Sequence, residues 1–226
     1  MQPISSWGGH VDPSALQHLT LKDSAEEIVR RALLSGSMKP GQIYSANSLS
    51  AQLGVSNSPT REAMLALAGK GLLEVVRNRG FRVVEMSDRD KQEVYDLRLL
   101  IEVEAVRRVT AEGINESESV ALKGLADKTI NAADTEDMLE YLESDQQFHA
   151  HLVGLLGNRR WTAIVENLRD QSRITGSYHL QERGLLMSSA EEHRGIVEAV
   201  LAGDEKLAAE RMSRHLDYAR PETGKD

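Results

Sequence analysis

The sequence predicts a mainly α-helical chain: three helices and a two-stranded hairpin at the N-terminal end, then an antiparallel bundle of six helices. Three observations carry this. Residues 45–84 hold two short helix patterns separated by Gly54, followed by two β-branched runs around a basic tip. After Ser87 strand character ends and apolar residues recur at helical spacing. Gly113, Gly157, Gly184 and Gly203 punctuate that stretch with connections short enough for antiparallel neighbours.

A first helix is expected over Asp23–Ser35, with Ala25, Ile28, Ala32, Leu33 and Leu34 as its apolar stripe and SGSMKPG as its stop. Ser45 or Asn47 can cap a second helix that turns Leu49 and Leu53 inward, and Gly54 supplies the left-handed residue that ends it. Ser56 to Ser58 caps a third helix, Pro59 fits its first turn, and Gly69 to Gly71 closes it. Leu72–Val76 and Phe81–Val84 flank Arg77-Asn78-Arg79-Gly80 as a hairpin. Helices follow near 88–112, 117–133, 135–156, 159–182, 186–201 and 204–219, with Ser87 and Asp204 as N-caps. The division is a flexible arm over residues 1–18, a head over 19–86 and a body over 87–226.

Composition narrows the class. With 40% hydrophobic and 27% charged residues the chain is an ordinary globular protein. The absence of Cys excludes disulfides and thiolate chemistry and fits a reducing cytoplasm. No apolar run approaches the roughly 20 residues that span a bilayer, and MQPISSWGGHVDPSALQ lacks the pattern of a signal peptide. The net charge of −8 is unevenly spread. Residues 19–86 carry nine basic against six acidic side chains, whereas residues 87–226 carry 18 basic against 28 acidic ones. A basic head on an acidic body suits a phosphate-facing module.

The head layout is that of a winged helix-turn-helix, whose second helix enters a DNA major groove. Its candidate contacts are Ser56, Asn57, Ser58, Thr60 and Arg61 at the start of the third helix, and Arg77, Arg79 and Gly80 at the hairpin tip. Short hydroxyl and amide groups at a helix N-terminus suit phosphates and base edges. The Arg61 fork can read guanine O6 and N7, and arginines at a wing tip suit a minor groove or the backbone. Taken singly, Asn57 and Ser58 can equally be helix caps, and Arg77 and Arg79 a solvated turn.

These residues resemble the GntR family of bacterial transcription regulators. Its head pattern is met at Leu49, Leu53, Gly54, Val55, Ser56, Pro59, Arg61, Glu62, Ala63, Leu67, Gly71, Leu72, Arg79, Gly80, Phe81 and Val83. The resemblance implies base contacts from the third helix, with Arg61 foremost and Ser56, Ser58 and Arg77 next, and a wing tip in the minor groove. It also implies a homodimer on a pseudo-palindromic operator. Asn57 departs from the pattern, which has arginine there, and an amide favours adenine over guanine.

In the body, Asp145 and His149 lie four apart on one helix face, while His193 and His215 fall on two later helices. Three imidazoles and a carboxylate can converge on a divalent ion, and the mixed N/O set suits Zn²⁺, Ni²⁺, Mn²⁺ or Fe²⁺ rather than Ca²⁺. An isolated Asp–His pair at that spacing is equally a surface interaction.

Residues 88–219 resemble the FCD effector domain of the FadR-like branch of the same family, through Arg98, Glu102, Asp145, Phe148, His149, Glu192, His193, Ile196, Ala199, Gly203, Asp204, Ala208, Met212 and His215. That resemblance implies Asp145, His149, His193 and His215 as metal ligands and open coordination positions for a small organic acid. His151 and His179 fit no ligand position, and His10 and His18 belong to the arm. Arg98 either pairs a carboxylate of such an effector or forms an ion pair with Glu102, and Arg169 and Arg173 are further effector candidates. Asn158 reads as a helix cap. The expected function is a DNA-binding regulator, by default a repressor relieved by its ligand, in the cytoplasm, with no membrane partner. A metal-dependent enzyme, a metal sensor or a structural metal staple remain the alternatives.

Overall fold

The computed structural model describes residues 20–174 and 178–221 of the 226-residue chain. The N-terminal arm, with His10 and His18, and the side chains of Leu53 and His179 lie outside the described residues.

The head opens with α1 (Leu21–Leu34), begun by a capping box in which Thr20 and Asp23 satisfy each other's backbone. Its buried stripe is Ala25, Val29 and Leu33, at i, i+4 and i+8, with Leu34 beside it. Ile28, expected inside, is exposed, because Val29 takes the core-facing position. A two-residue strand, β1 (Ile43–Tyr44), precedes α2 (Ala46–Leu53), which Ser45 caps by accepting from the Ser48 amide. Gly54 adopts φ 66° and leads into α3 (Asn57–Gly69). β2 (Leu73–Val76) and β3 (Gly80–Val83) form the expected hairpin.

The wing is three-stranded rather than two-stranded: β1 pairs antiparallel with the free edge of β3, in the order β1-β3-β2. That pairing explains the glycine at 80. Its φ is 122°, and a Cβ there would stand 2.3 Å from the Tyr44 carbonyl oxygen of the neighbouring strand. Val29, Leu33, Met64, Leu67, Phe81 and Val83 close the head core.

In the body, α4 (Asp88–Glu112) starts from a Ser87–Asp90 capping box, and α5 (Glu116–Asp134) from an Asn115–Glu118 box. Asp137 caps α6 (Met138–Gly154). Asn158 caps α7 (Arg159–Ile174), its Oδ1 accepting from the Arg160 and Trp161 amides. The expected helix over 159–182 is described as two, α7 and the short α8 (Tyr178–Glu182). Then come α9 (Leu186–Leu201) and α10 (Glu205–Leu216), the latter capped by Asp204. Val106, Leu122, Phe148, Leu152, Ile196 and Met212 share the main body core. The chain has two phenylalanines, Phe81 and Phe148, and each is fully buried in one of these two cores.

Candidate metal centre and DNA-facing surface

The body holds a cluster of buried titratable groups. Asp145 and His149 sit one turn apart on α6, His193 comes from α9, and His215 from the last turn of α10. All four are buried, and one donor atom from each lies within 4.8 Å of the others. His149 Nε2 is 3.1 Å from His215 Nε2 and 3.3 Å from His193 Nε2. Asp145 Oδ1 lies 3.1 Å from His193 Nε2, 3.7 Å from His149 Nε2 and 3.9 Å from His215 Nε2. A metal bound at about 2.0–2.1 Å separates tetrahedral ligand atoms by about 3.4 Å. The spacing therefore fits a single ion.

Hydrogen positions make the case chemically. His193 Nδ1 lies 3.0 Å from the Ala190 carbonyl and 3.1 Å from Thr129 Oγ1. The Thr129 hydroxyl already donates to Ala126, so both neighbours of Nδ1 accept and Nδ1 carries the hydrogen. His149 Nδ1 lies 2.7 Å from Glu102 Oε2 and His215 Nδ1 3.5 Å from Glu192 Oε2, neither aligned as a hydrogen bond, and the negative charge beside each Nδ1 favours the same tautomer. Three bare Nε2 lone pairs and a carboxylate oxygen then confront one another, an arrangement that a cation satisfies.

Protonation of His149 or His215 does not supply that cation. Burial, aided by the Arg169 charge and opposed by Glu102, holds His149 well below the usual imidazole range. Burial and the neighbouring His193 push His215 down to about 4, against the pull of Glu192. Both rings are neutral at pH 7, the form that binds metal. Burial favours protonating Asp145 and Glu102, but the adjacent guanidiniums win: Arg169 and Arg173 hold Asp145, and Arg169 and Arg98 hold Glu102, well below the carboxylate range.

All three arginines expected at an effector site line a cavity of about 330 Å³ that reaches Asp145 and His215. Arg98 Nε donates to Glu102 Oε1 at 2.8 Å, so its ion pair forms and its cavity position is real as well. Arg169 bridges Glu102 (2.8 Å) and Asp145, and Arg173 joins Gln146 (2.9 Å) to Asp145. With Lys91, Arg183 and Arg220, these three arginines make six basic side chains lining the cavity, against the acidic Asp88 and Asp145. Arg173 accordingly has its pKa pulled down to about 10 by burial, with Arg169 adding to the effect and Asp145 opposing it.

Sequence reasoning missed Thr129, and it gave Glu102 and Glu192 only as positions of the family pattern, with Glu102 also a partner of Arg98, not as neighbours of the histidines. Spacing marks neither Thr129 nor Glu102 as a neighbour of histidines that are 64 and 47 positions away. Glu192 did carry a signal, standing immediately before His193.

In the head, Ser56, Asn57, Ser58 and Arg61 are exposed at the start of α3, and Arg77 and Arg79 are exposed at the hairpin tip, beside half-buried Gly80. Ser56 is the N-cap but makes no side-chain cap bond, and Ser58 Oγ donates to Glu62 at 2.8 Å. Thr60 does not belong with them. It is fully buried, with its hydroxyl turned to the Ser56 carbonyl at 3.5 Å, because it occupies the core-facing side of the first turn with Ala63, Met64 and Leu67.

A family model described as bacterial regulatory proteins of the gntR family matches residues 21–83, and the FCD domain model matches residues 93–218. The chain belongs to the GntR family and carries an FCD domain. Relatives of this GntR protein include the uncharacterised HTH-type transcriptional regulator YdhC of Bacillus subtilis, 29% identical over 192 residues that cover 84% of this chain and 85% of that one. A probable D-xylose utilization operon transcriptional repressor of Paenarthrobacter nicotinovorans is 27% identical over 213 residues, covering 92% and 91%. Among solved structures, Escherichia coli McbR superposes with a TM-score of 0.78 at 23% identity, over 88% of this chain and 95% of that one, which fixes the fold. These matches are to DNA-binding regulators, and they decide against the metal-dependent enzyme. Among the described residues no helix is long and apolar enough to cross a membrane.

Proposed function

We propose that this GntR regulator is a repressor whose operator affinity is set by a small organic acid bound beside a divalent ion in the body. The observation that carries it is the charge of the cavity. Lys91, Arg98, Arg169, Arg173, Arg183 and Arg220 line it against Asp88 and Asp145, and a divalent ion held by Asp145, His149, His193 and His215 adds two further positive charges. A pocket so charged suits an anionic ligand with more than one carboxylate. The bound ion supplies Lewis-acid attraction for a carboxylate oxygen. The chain's own part is to hold the three histidines in one tautomer, through Glu102, Glu192, Thr129 and the Ala190 carbonyl, and to keep Asp145 ionised.

In the head, Ser56, Asn57, Ser58 and Arg61 are proposed to read the major groove, with Arg77, Arg79 and Gly80 at the minor groove. Thr60 drops from that set. A two-fold operator calls for two heads at fixed spacing, hence a homodimer. Relatives named as repressors, GlaR of Escherichia coli and the gluconate operon repressor of Bacillus licheniformis, support repression.

Thermal-shift screening of small organic acids tests the ligand class. Di- and tricarboxylates should raise the melting temperature of Zn²⁺-loaded protein and have little effect in EDTA. Stabilisation by neutral sugars alone would overturn the assignment.

A further inference from the structure

Helix α7 makes two kinds of contact on consecutive residues. Arg169 and Arg173, four apart on one face, grip the Asp145 carboxylate, and Ser172 accepts from Arg98 at 3.3 Å. Asp170 and Gln171 turn to the head instead. Asp170 accepts both arms of the Arg30 fork, at 2.8 and 2.7 Å, with its own side chain only 6% exposed. Gln171 Nε2 donates to the Lys70 carbonyl at 2.9 Å, and Lys70 is the C-cap of α3.

The contacts close on themselves. Lys70 Nζ reaches Glu26 of α1 at 2.8 Å, and Glu26 lies one turn before Arg30. α7, the end of α3 and α1 thus form a ring of polar links across the head–body boundary. Ile174, at the end of α7, packs against both the head core and the body cluster that holds Leu34 of α1. A bidentate arginine–carboxylate pair fixes orientation as well as distance. A helix moves as a rod, so a shift that follows Arg169 and Arg173 carries Asp170 and Gln171 with it.

We propose that Asp170 and Gln171 form a latch through which occupation of the Asp145 centre sets the position of the DNA-reading helix α3. They are positioning residues, since neither touches the centre or the exposed start of α3. The latch rests on the ligand-controlled regulator proposed above and names its route from body to head.

Hydrogen exchange read by mass spectrometry on the full chain, with and without Zn²⁺ alone, tests it. In the native sequence Zn²⁺ should slow exchange in α6, α9 and α10 and also change exchange in α3. In Asp170→Asn and in Gln171→Ala the ligand-bearing helices should respond as before, while the α3 response falls by half or more. In the double variant it should vanish. Arg30→Gln removes the same pair from the head side and should reproduce Asp170→Asn, which separates loss of coupling from damage to α7. An undiminished α3 response in the double variant overturns the latch. So does a native chain in which the ligand helices respond and α3 does not. If Zn²⁺ leaves even the ligand helices unchanged, the metal centre itself fails and takes the latch with it.

Discussion

The head and the body put their chemistry together in opposite ways. In the head, the surface proposed to read DNA is built from neighbours in sequence: Ser56, Asn57, Ser58 and Arg61 at the start of one helix and Arg77 to Gly80 on one hairpin tip. In the body, the centre draws Asp145 and His149 from α6, His193 from α9 and His215 from α10, and orients them with Glu102 from α4 and Thr129 from α5. The first kind of site tolerates the loss of one exposed side chain, because the helix that presents it is held by the buried residues Ala63, Met64 and Leu67 on its other face. The second depends on the packing of five helices and on every buried charge having its partner.

The largest expected effect follows from that contrast. His149→Ala removes a ligand and should reduce Zn²⁺ affinity, measured by competition with a chelator, by more than any substitution outside the ligand set. Glu102→Gln leaves all four ligands but frees the His149 tautomer, and should weaken Zn²⁺ binding by about 10–100-fold. A centre indifferent to Glu102 would break the claim that outer partners hold it together.

Acid should separate body from head. In EDTA, an unfolded chain takes up protons on histidine as the pH falls through the ordinary value of 6.5, while folded His215 refuses them until about 4. Its contribution is present above pH 6.5 and is lost progressively as the pH falls from 6.5 towards 4, on the order of 3 kcal/mol for that group alone. Melting curves at pH 7.5 and 5 should show the difference, and it should shrink in His215→Gln. An equal loss in that variant would place the titration elsewhere.

Local changes in the head should cost less and stay local. Arg61→Ala should lower specific operator affinity by about 1–3 kcal/mol with an unchanged melting temperature, and Arg77→Ala should reduce the salt dependence of binding by about one phosphate contact. Electrophoretic or fluorescence titrations over a salt series read both. A melting temperature that drops with Arg61→Ala would mean that its place over the Phe81 ring, at 6.0 Å, is structural rather than DNA-facing.

The same contrast governs what could be seen in the sequence. Caps at Ser45, Ser87, Asn158 and Asp204, the Gly54 turn and the hairpin around Asn78 are local physics, and each is written in a few consecutive residues. β1 was not legible, because two residues carry no alternation and Ile43–Tyr44 is a strand only where the edge of β3 meets it. Thr60 was misplaced because its residue type suits a DNA contact while its helical phase points to Met64 and Leu67. The four residues of the proposed centre were legible as a set, through their residue types and a family resemblance, and the structure brings them together. The tautomer-setting partners and the Asp170–Arg30 pair were not, because pairing across 140 positions leaves no local trace.

X-ray absorption at the zinc edge, on protein loaded with one equivalent of Zn²⁺, tests the centre most directly. The expected spectrum has nitrogen and oxygen neighbours at about 2.0–2.1 Å, with the outer-shell scattering of three imidazoles that falls to two in His193→Ala. A spectrum without imidazole scattering, or one unchanged by His193→Ala, would contradict the assignment of Asp145, His149, His193 and His215 as a metal centre.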